Sequence, residues 1–185
     1  TVCLASPLRD VYKRQDLTNA ILMCEKMGVR ILNCFSGCPG DSETSQKPNW
    51  VTCPWPEDFI EILDYQWNKV LIPYWKEKVK FAKAHGVDKI AIEMHPGFCV
   101  YNPKSLLRLR EAVGPEIGAN FDPSHLIWQG VSPVAAIREL GKHNAIFHFH
   151  AKDTKMDEIN CPINGVLDVG HYGCLLYTSL MARGR

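Results

Sequence analysis

The chain has 185 residues, 46% of them hydrophobic and 22% charged, which is the composition of one compact soluble domain. Its 21 basic and 20 acidic residues are interspersed to a formal net charge of +1, so there is no basic stripe for a nucleic-acid backbone, and a small neutral or anionic ligand is the expected partner. No apolar run approaches the roughly 20 residues needed to cross a bilayer, and no basic segment leads into an apolar stretch with a cleavage site; the expected setting is the cytoplasm, away from membranes.

In chain order, residues 1–15 show no helical or strand periodicity continuous with their neighbours, and neither do residues 174–185. Strings such as VYKRQ and CLLYTS look like translated sequencing-adapter DNA, so both ends are set apart from a domain expected over 16–173. The alternative is that they are real terminal strands of odd composition. Asp16 can cap a helix whose apolar positions are Leu17, Ile21, Leu22 and Met27, closed by Gly28. Residues 29–35 form a short apolar run that predicts a buried strand. Ser36-Gly37-Cys38-Pro39-Gly40-Asp41 is turn chemistry, opening a long loop to about Pro56 in which Trp50 and Trp55 argue for order. Helical spacing runs from Glu57 to His85, with Pro73 as a break or first-turn residue and Gly86 as the stop.

The next strand is predicted over 89–95, ended by Pro96-Gly97. Asn102 then caps a helix that begins with Pro103 and runs through Val113. A strand over 117–122, a helix from Ser132-Pro133 through Leu140 and a strand over 145–150 follow, and beyond them only a loop to Gly173 is expected. Strands alternating with helices predict an α/β fold with a parallel sheet. The number of units is too small for a complete eight-stranded barrel.

The eight cysteines form no CxxC pair and sit largely in apolar patterns, which predicts reduced thiols that are not metal ligands. Three polar residues, by contrast, end three consecutive strands: Glu93, Asp122 and His150, spaced by one strand-plus-helix unit each. In a parallel barrel such strand ends converge on one face, where the active site lies. Two carboxylates and an imidazole suit one divalent ion, Mn²⁺, Mg²⁺, Co²⁺ or Zn²⁺. Singly, each has a plainer reading: a solvated strand glutamate, a helix-capping Asp before Pro, and a hydrogen-bonded core histidine. His148 shares a strand face with His150 by period-two alternation, so both can enter the site.

The segments Glu93-Met94-His95-Pro96-Gly97, Asn120-Phe121-Asp122-Pro123-Ser124-His125 and His148-Phe149-His150-Ala151-Lys152-Asp153-Thr154 resemble the fifth, sixth and seventh strand ends of the sugar phosphate isomerase/epimerase family, within the xylose-isomerase-like TIM barrels. Residues 36–41 resemble its fourth-strand loop. The resemblance implies a partial (β/α)8 barrel of about four consecutive units, strands four to seven, with one metal held by Glu93, Asp122, His150 and a second Glu on an eighth strand; no late Glu in this chain replaces it, since Glu158 falls in a polar loop. It further implies that Glu93 is a catalytic carboxylate as well as a ligand, and that His95, His125, His148, Lys152 and Asp153 orient the substrate, although Lys152 also reads as a surface charge paired to Asp153. The implied activity is isomerisation or epimerisation of a sugar, sugar phosphate or polyol by proton transfer next to a carbonyl. The competing readings are dehydration of a keto-inositol, phosphodiester cleavage in damaged DNA, which the balanced charge disfavours, and a non-catalytic truncated remnant.

Overall fold

The computed structural model describes residues 11–167 and 175–179. Its centre is a four-stranded parallel sheet in the order β1-β2-β3-β4, with β1 at Ile31–Phe35, β2 at Lys89–Glu93, β3 at Ile117–Phe121 and β4 at Ile146–Phe149. The predicted alternation of strands and helices is therefore a contiguous arc of parallel βα units, as in a partial barrel. Alternation along each strand divides the sheet into two faces. Leu32, Cys34, Ile90, Ile92, Ile117 and Ala119 are buried in one core with Leu17, Leu71, Trp75, Val79, Leu106, Leu109 and Leu140 from the helices. The intervening positions, Asn33, Ala91, Glu93, Gly118, Asn120 and His148, carry small or polar side chains and belong to the other face.

Helix α1 covers Val11–Met27 and so starts before Asp16, the expected cap. Leu17, Ala20 and Ile21 lie in the core and Cys24 packs beside it, a stripe at i, i+3, i+4 and i+7, whereas Met27 is exposed. The expected single helix after the long loop is three segments: α2 (Asp58–Asp64), a π-helical stretch (Tyr65–Leu71) and α3 (Ile72–Ala84), with Pro73 in the first turn of α3. The π-helical stretch buries Gln66, whose Nε2 donates to the carbonyls of Pro39, Gly40 and Asn49 at 3.0, 3.2 and 2.6 Å. These bonds tie the loop after β1 to the helix layer. Within that loop Trp50 meets Tyr101 edge-on at 5.6 Å, while Trp55 is largely exposed.

Helix α4 (Pro103–Val113) has the Asn102 cap, reinforced by a reciprocal bond with Ser105. A short helix α5 (Pro123–Ile127), not expected from the sequence, follows β3, and α6 (Pro133–Lys142) is capped by Ser132. The loop expected after His150 is also replaced by structure. Strand β5 (Lys152–Met156) pairs antiparallel with β6 (Leu175–Ser179) in a separate two-stranded sheet, and α7 (Cys161–Asn164) lies between them. Hydrophobic period-two patterning is absent from Lys-Asp-Thr-Lys-Met, since Thr154 alone among the residues of β5 is buried. Of the two ends set apart from the domain, residues 1–10 and 180–185 lie outside the described residues, as do Cys3, Cys174 and Gly173. The described cysteines, Cys24, Cys34, Cys38, Cys53, Cys99 and Cys161, are free thiols. Among the described residues no helix is long and apolar enough to cross a membrane.

The pairing of β3 with β4 contains a register shift: Ala119 pairs with Ile146, and Asn120 pairs with His148. The skipped residue, Phe147, lies against Gly118, where an added Cβ would sit 2.5 Å from its ring atoms. Gly118→Ala is therefore expected to push the ring aside and to lower stability by about 1–3 kcal/mol, with Phe147→Leu in the same chain recovering part of the loss; urea unfolding of the two variants measures both.

Lys83 Nζ lies 2.5 Å from Glu116 Oε1 and fastens α3 to the entry of β3. That hydrogen bond, opposed by partial burial, holds the Glu116 carboxyl below the ordinary carboxylate range. Because the folded-state pKa is depressed, the contribution is complete above the unfolded value of about 4.3 and is lost as pH falls through the folded value. Glu116→Gln is expected to lower stability at neutral pH by about 0.5–1 kcal/mol and to match the parent in acid, as followed by denaturant unfolding at both pH values.

Candidate metal centre

Glu93 is the last residue of β2, and Asp122 follows β3. Their side chains are 7% and 0% exposed, so two carboxylates lie almost out of water at one end of the sheet. Asp122 does two things at once. Its Oδ1 caps α5, accepting from the Ser124 amide at 2.9 Å and the Ser124 hydroxyl at 2.6 Å, which leaves Oδ2 for the site. The plain helix-cap reading of an Asp before Pro is thus correct for one oxygen only.

Two imidazoles bracket the carboxylates. His125 Nε2, from α5, lies 3.3 Å from Glu93 Oε1 and 3.3 Å from Asp122 Oδ2. His150 Nδ1, just past β4, lies 3.3 Å from Glu93 Oε2 and 3.2 Å from Asp122 Oδ2. Lys152 Nζ is 2.9 Å from Asp122 Oδ2 and 2.9 Å from His125 Nε2. The lysine, 22% exposed in its side chain, thus reaches inward to a buried carboxylate. Asp153 stands apart: it is exposed, and its Oδ1 accepts from the next backbone amide, that of Thr154, at 2.8 Å.

Burial by itself would raise the Glu93 pKa. The hydrogen bond and charge of His125, then those of His150, outweigh it and hold the carboxyl below its ordinary range. His95 sits beside the cluster with its ring centroid 4.0 Å from that of His125, and packs edge-on to Phe35 and Phe98, each at 5.6 Å. Burial first, and the charge of His125 second, lower its pKa and so favour its neutral form. Its Nδ1 donates to the Pro96 carbonyl at 2.5 Å.

Metal–ligand bonds of about 2.0–2.2 Å place neighbouring donor atoms about 2.8–3.6 Å apart in tetrahedral or octahedral geometry. The carboxylate–imidazole separations of 3.2–3.3 Å fall inside that range. Glu93, Asp122 and His125 each offer an atom within 4.8 Å of the others. The His150 side chain, 48% exposed, marks the open side of the cluster. The donor set therefore fits a small divalent ion, with room on the solvent side for a further ligand.

His125, expected as a substrate contact, lies 3.3 Å from both carboxylates, and Asn120 and Ser124 join the site without having been expected there. Asn120 Nδ2 donates to Glu93 Oε2 at 2.7 Å, and its Oδ1 meets His148 Nδ1 at 2.8 Å. Alternation with Asp122 two residues later was the available signal for Asn120, and the Asp-Pro-Ser turn was the signal for Ser124.

The chain is matched over residues 2–174 by the model of the xylose isomerase-like TIM barrel family, and it belongs to that family. It is 45% identical over 157 residues to the uncharacterized protein YfiH of Bacillus subtilis (strain 168), a match covering 83% of this chain and 50% of YfiH. Among solved structures it is similar to the probable 3-DHS dehydratase AsbF of Bacillus anthracis, involved in petrobactin synthesis, with a TM-score of 0.57 and 17% identity over 90% of this chain and 53% of that one. It is similar also to the IOLI protein with a binding zinc atom, with a TM-score of 0.57 and 20% identity over 90% and 53% of the two chains. The chain thus spans about half the length of the relatives it matches.

Ser124→Ala removes a hydroxyl donor from the buried Asp122 carboxylate. It is expected to cost about 1.5–3 kcal/mol of stability, measured by urea unfolding, and to leave the Oδ1 bond to the backbone amide as the remaining cap.

Proposed function

We propose that the whole protein to which this chain corresponds is a divalent-metal-dependent isomerase or epimerase acting on a sugar, sugar phosphate or polyol by proton transfer next to a carbonyl. The observation that carries this reading is the set of donor atoms from Glu93, Asp122, His125 and His150 at coordination-edge separations around a buried pair of carboxylates. Glu93, Asp122 and His150 are the proposed metal ligands, taking Mn²⁺, Mg²⁺, Co²⁺ or Zn²⁺. When bound, the ion would draw electron density from the carbonyl and neighbouring hydroxyl oxygens of the substrate and so acidify the adjacent carbon-bound proton.

The remaining work falls to the chain's own side chains. Glu93, kept ionised by the imidazoles, is the carboxylate proposed to exchange a proton with the substrate. Lys152 Nζ, 2.9 Å from both Asp122 Oδ2 and His125 Nε2, is a donor suited to orienting substrate oxygens, with the His125 ring beside it. His95, favoured in its neutral form and set in an aromatic wall, presents a directional contact rather than a charge. His148 extends the polar row toward solvent, and Asp153 belongs to the outer rim, for contacts with the far end of a substrate. A small-molecule partner also agrees with the balanced charge of the chain.

Titration of the chain with Mn²⁺ and Co²⁺ by calorimetry tests the centre. Binding near one equivalent is expected, with Glu93→Gln, Asp122→Asn and His150→Gln each weakening it by at least about a hundredfold and His125→Gln by less, on the order of tenfold. A folded chain that takes up neither ion, or a His125→Gln variant that loses more affinity than His150→Gln, would overturn the ligand assignment.

A further inference from the structure

Glu93, Asn120 and His148 stand side by side on β2, β3 and β4, because Glu93 is the register partner of Asn120 and Asn120 that of His148. The second pairing exists only because the register shifts after Ala119; a continuous ladder would set Asn120 opposite Phe147. Phe147 is accommodated by the missing side chain of Gly118. A glycine and an irregular strand thus bring one histidine into line with a buried amide.

The hydrogen bonds of that amide have a fixed polarity. An ionised carboxylate only accepts, so the Asn120 NH₂ must face Glu93 Oε2, 2.7 Å away. Its Oδ1 then faces His148 Nδ1 at 2.8 Å, and an amide oxygen only accepts. The proton between them must therefore be carried by Nδ1. In a neutral imidazole with Nδ1 protonated, Nε2 is a bare lone pair.

We propose that Asn120 is a positioning residue that holds the Glu93 carboxylate by one oxygen and sets His148 in its Nδ1–H tautomer, so that the exposed His148 offers an unprotonated Nε2 to a substrate hydroxyl. Such a nitrogen accepts an O–H and repels an anionic oxygen. The subsite at His148 is accordingly one for a hydroxyl-bearing carbon, and any phosphate of the substrate lies elsewhere. The substrate part rests on the proposed function, whereas the tautomer stands independently of it.

Long-range proton–nitrogen correlation spectra of the isotope-labelled, metal-free chain report the tautomer directly, with His148 identified by its loss in His148→Gln. They are recorded above the ordinary histidine range, at about pH 8. The wild-type chain is expected to show His148 protonated at Nδ1, and Asn120→Leu is expected to move it to the Nε2–H form that a free imidazole side chain prefers. A wild-type His148 protonated at Nε2 overturns the proposal, and that spectrum decides even where Asn120→Leu fails to fold. An unchanged tautomer in a folded Asn120→Leu chain overturns it as well. For the carboxylate, Asn120→Leu is expected to weaken Mn²⁺ binding about tenfold, and equal affinity in the folded variant removes the positioning role toward Glu93. A wild-type chain whose His148 carries its proton on Nδ1 and which takes up no Mn²⁺ supports the tautomer while refuting the metal-dependent function, so the two readings fail separately.

Discussion

Two carboxylates, Glu93 and Asp122, are buried at the same end of one parallel sheet, and neither can stay ionised there without positive or hydrogen-donating partners. Much of the surrounding structure meets that demand. Ser124 supplies two donors to Asp122 and Asn120 supplies one to Glu93, while His125, His150 and Lys152 supply nitrogen atoms at 2.9–3.3 Å. Apart from Asn120 on β3, the partners come from α5, from the end of β4 and from β5, so most of them are gathered by the short elements after β3 and β4.

This requirement accounts for the contrast between the two faces of the sheet. Toward the helices, Leu32, Ile90, Ile92, Ile117 and Ala119 are packed as ordinary core. The opposite face alternates small and polar residues, and its polar row rises stepwise through the register from Glu93 to Asn120 to His148. A sheet built this way confines rigid apolar packing to one side and leaves the other to hold charged groups at defined separations, which is the arrangement that ligand exchange at a metal and proton transfer both need.

The balance of charge within the cluster also separates its histidines into different kinds. His125 and His150 each lie within 3.3 Å of both carboxylates. His95, a ring's thickness from His125, has its pKa lowered by burial and by its neighbour's charge. His148 touches a neutral partner, the Asn120 amide, at 2.8 Å. Four imidazoles within one site thereby meet three kinds of partner: carboxylates, aromatic rings and an amide.

Sequence alone determined the parallel α/β architecture, because strands and helices alternate with caps at Asn102 and Ser132 that the structure retains. It also determined which strand ends carry Glu93, Asp122 and His150, since one polar residue at the end of each apolar run is visible without coordinates. Tertiary structure alone decided the rest. That Lys152 reaches Asp122, that His125 lies as close to both carboxylates as His150 does, and that Asn120 joins Glu93 to His148 depend on side chains from different elements meeting across the sheet. The shift in register at Asn120 and the ribbon of β5 with β6 were equally hidden. The physical reason is that periodicity records which face of its own strand or helix a residue occupies. It does not record the register between strands or the reach of a side chain, and those two quantities build the site.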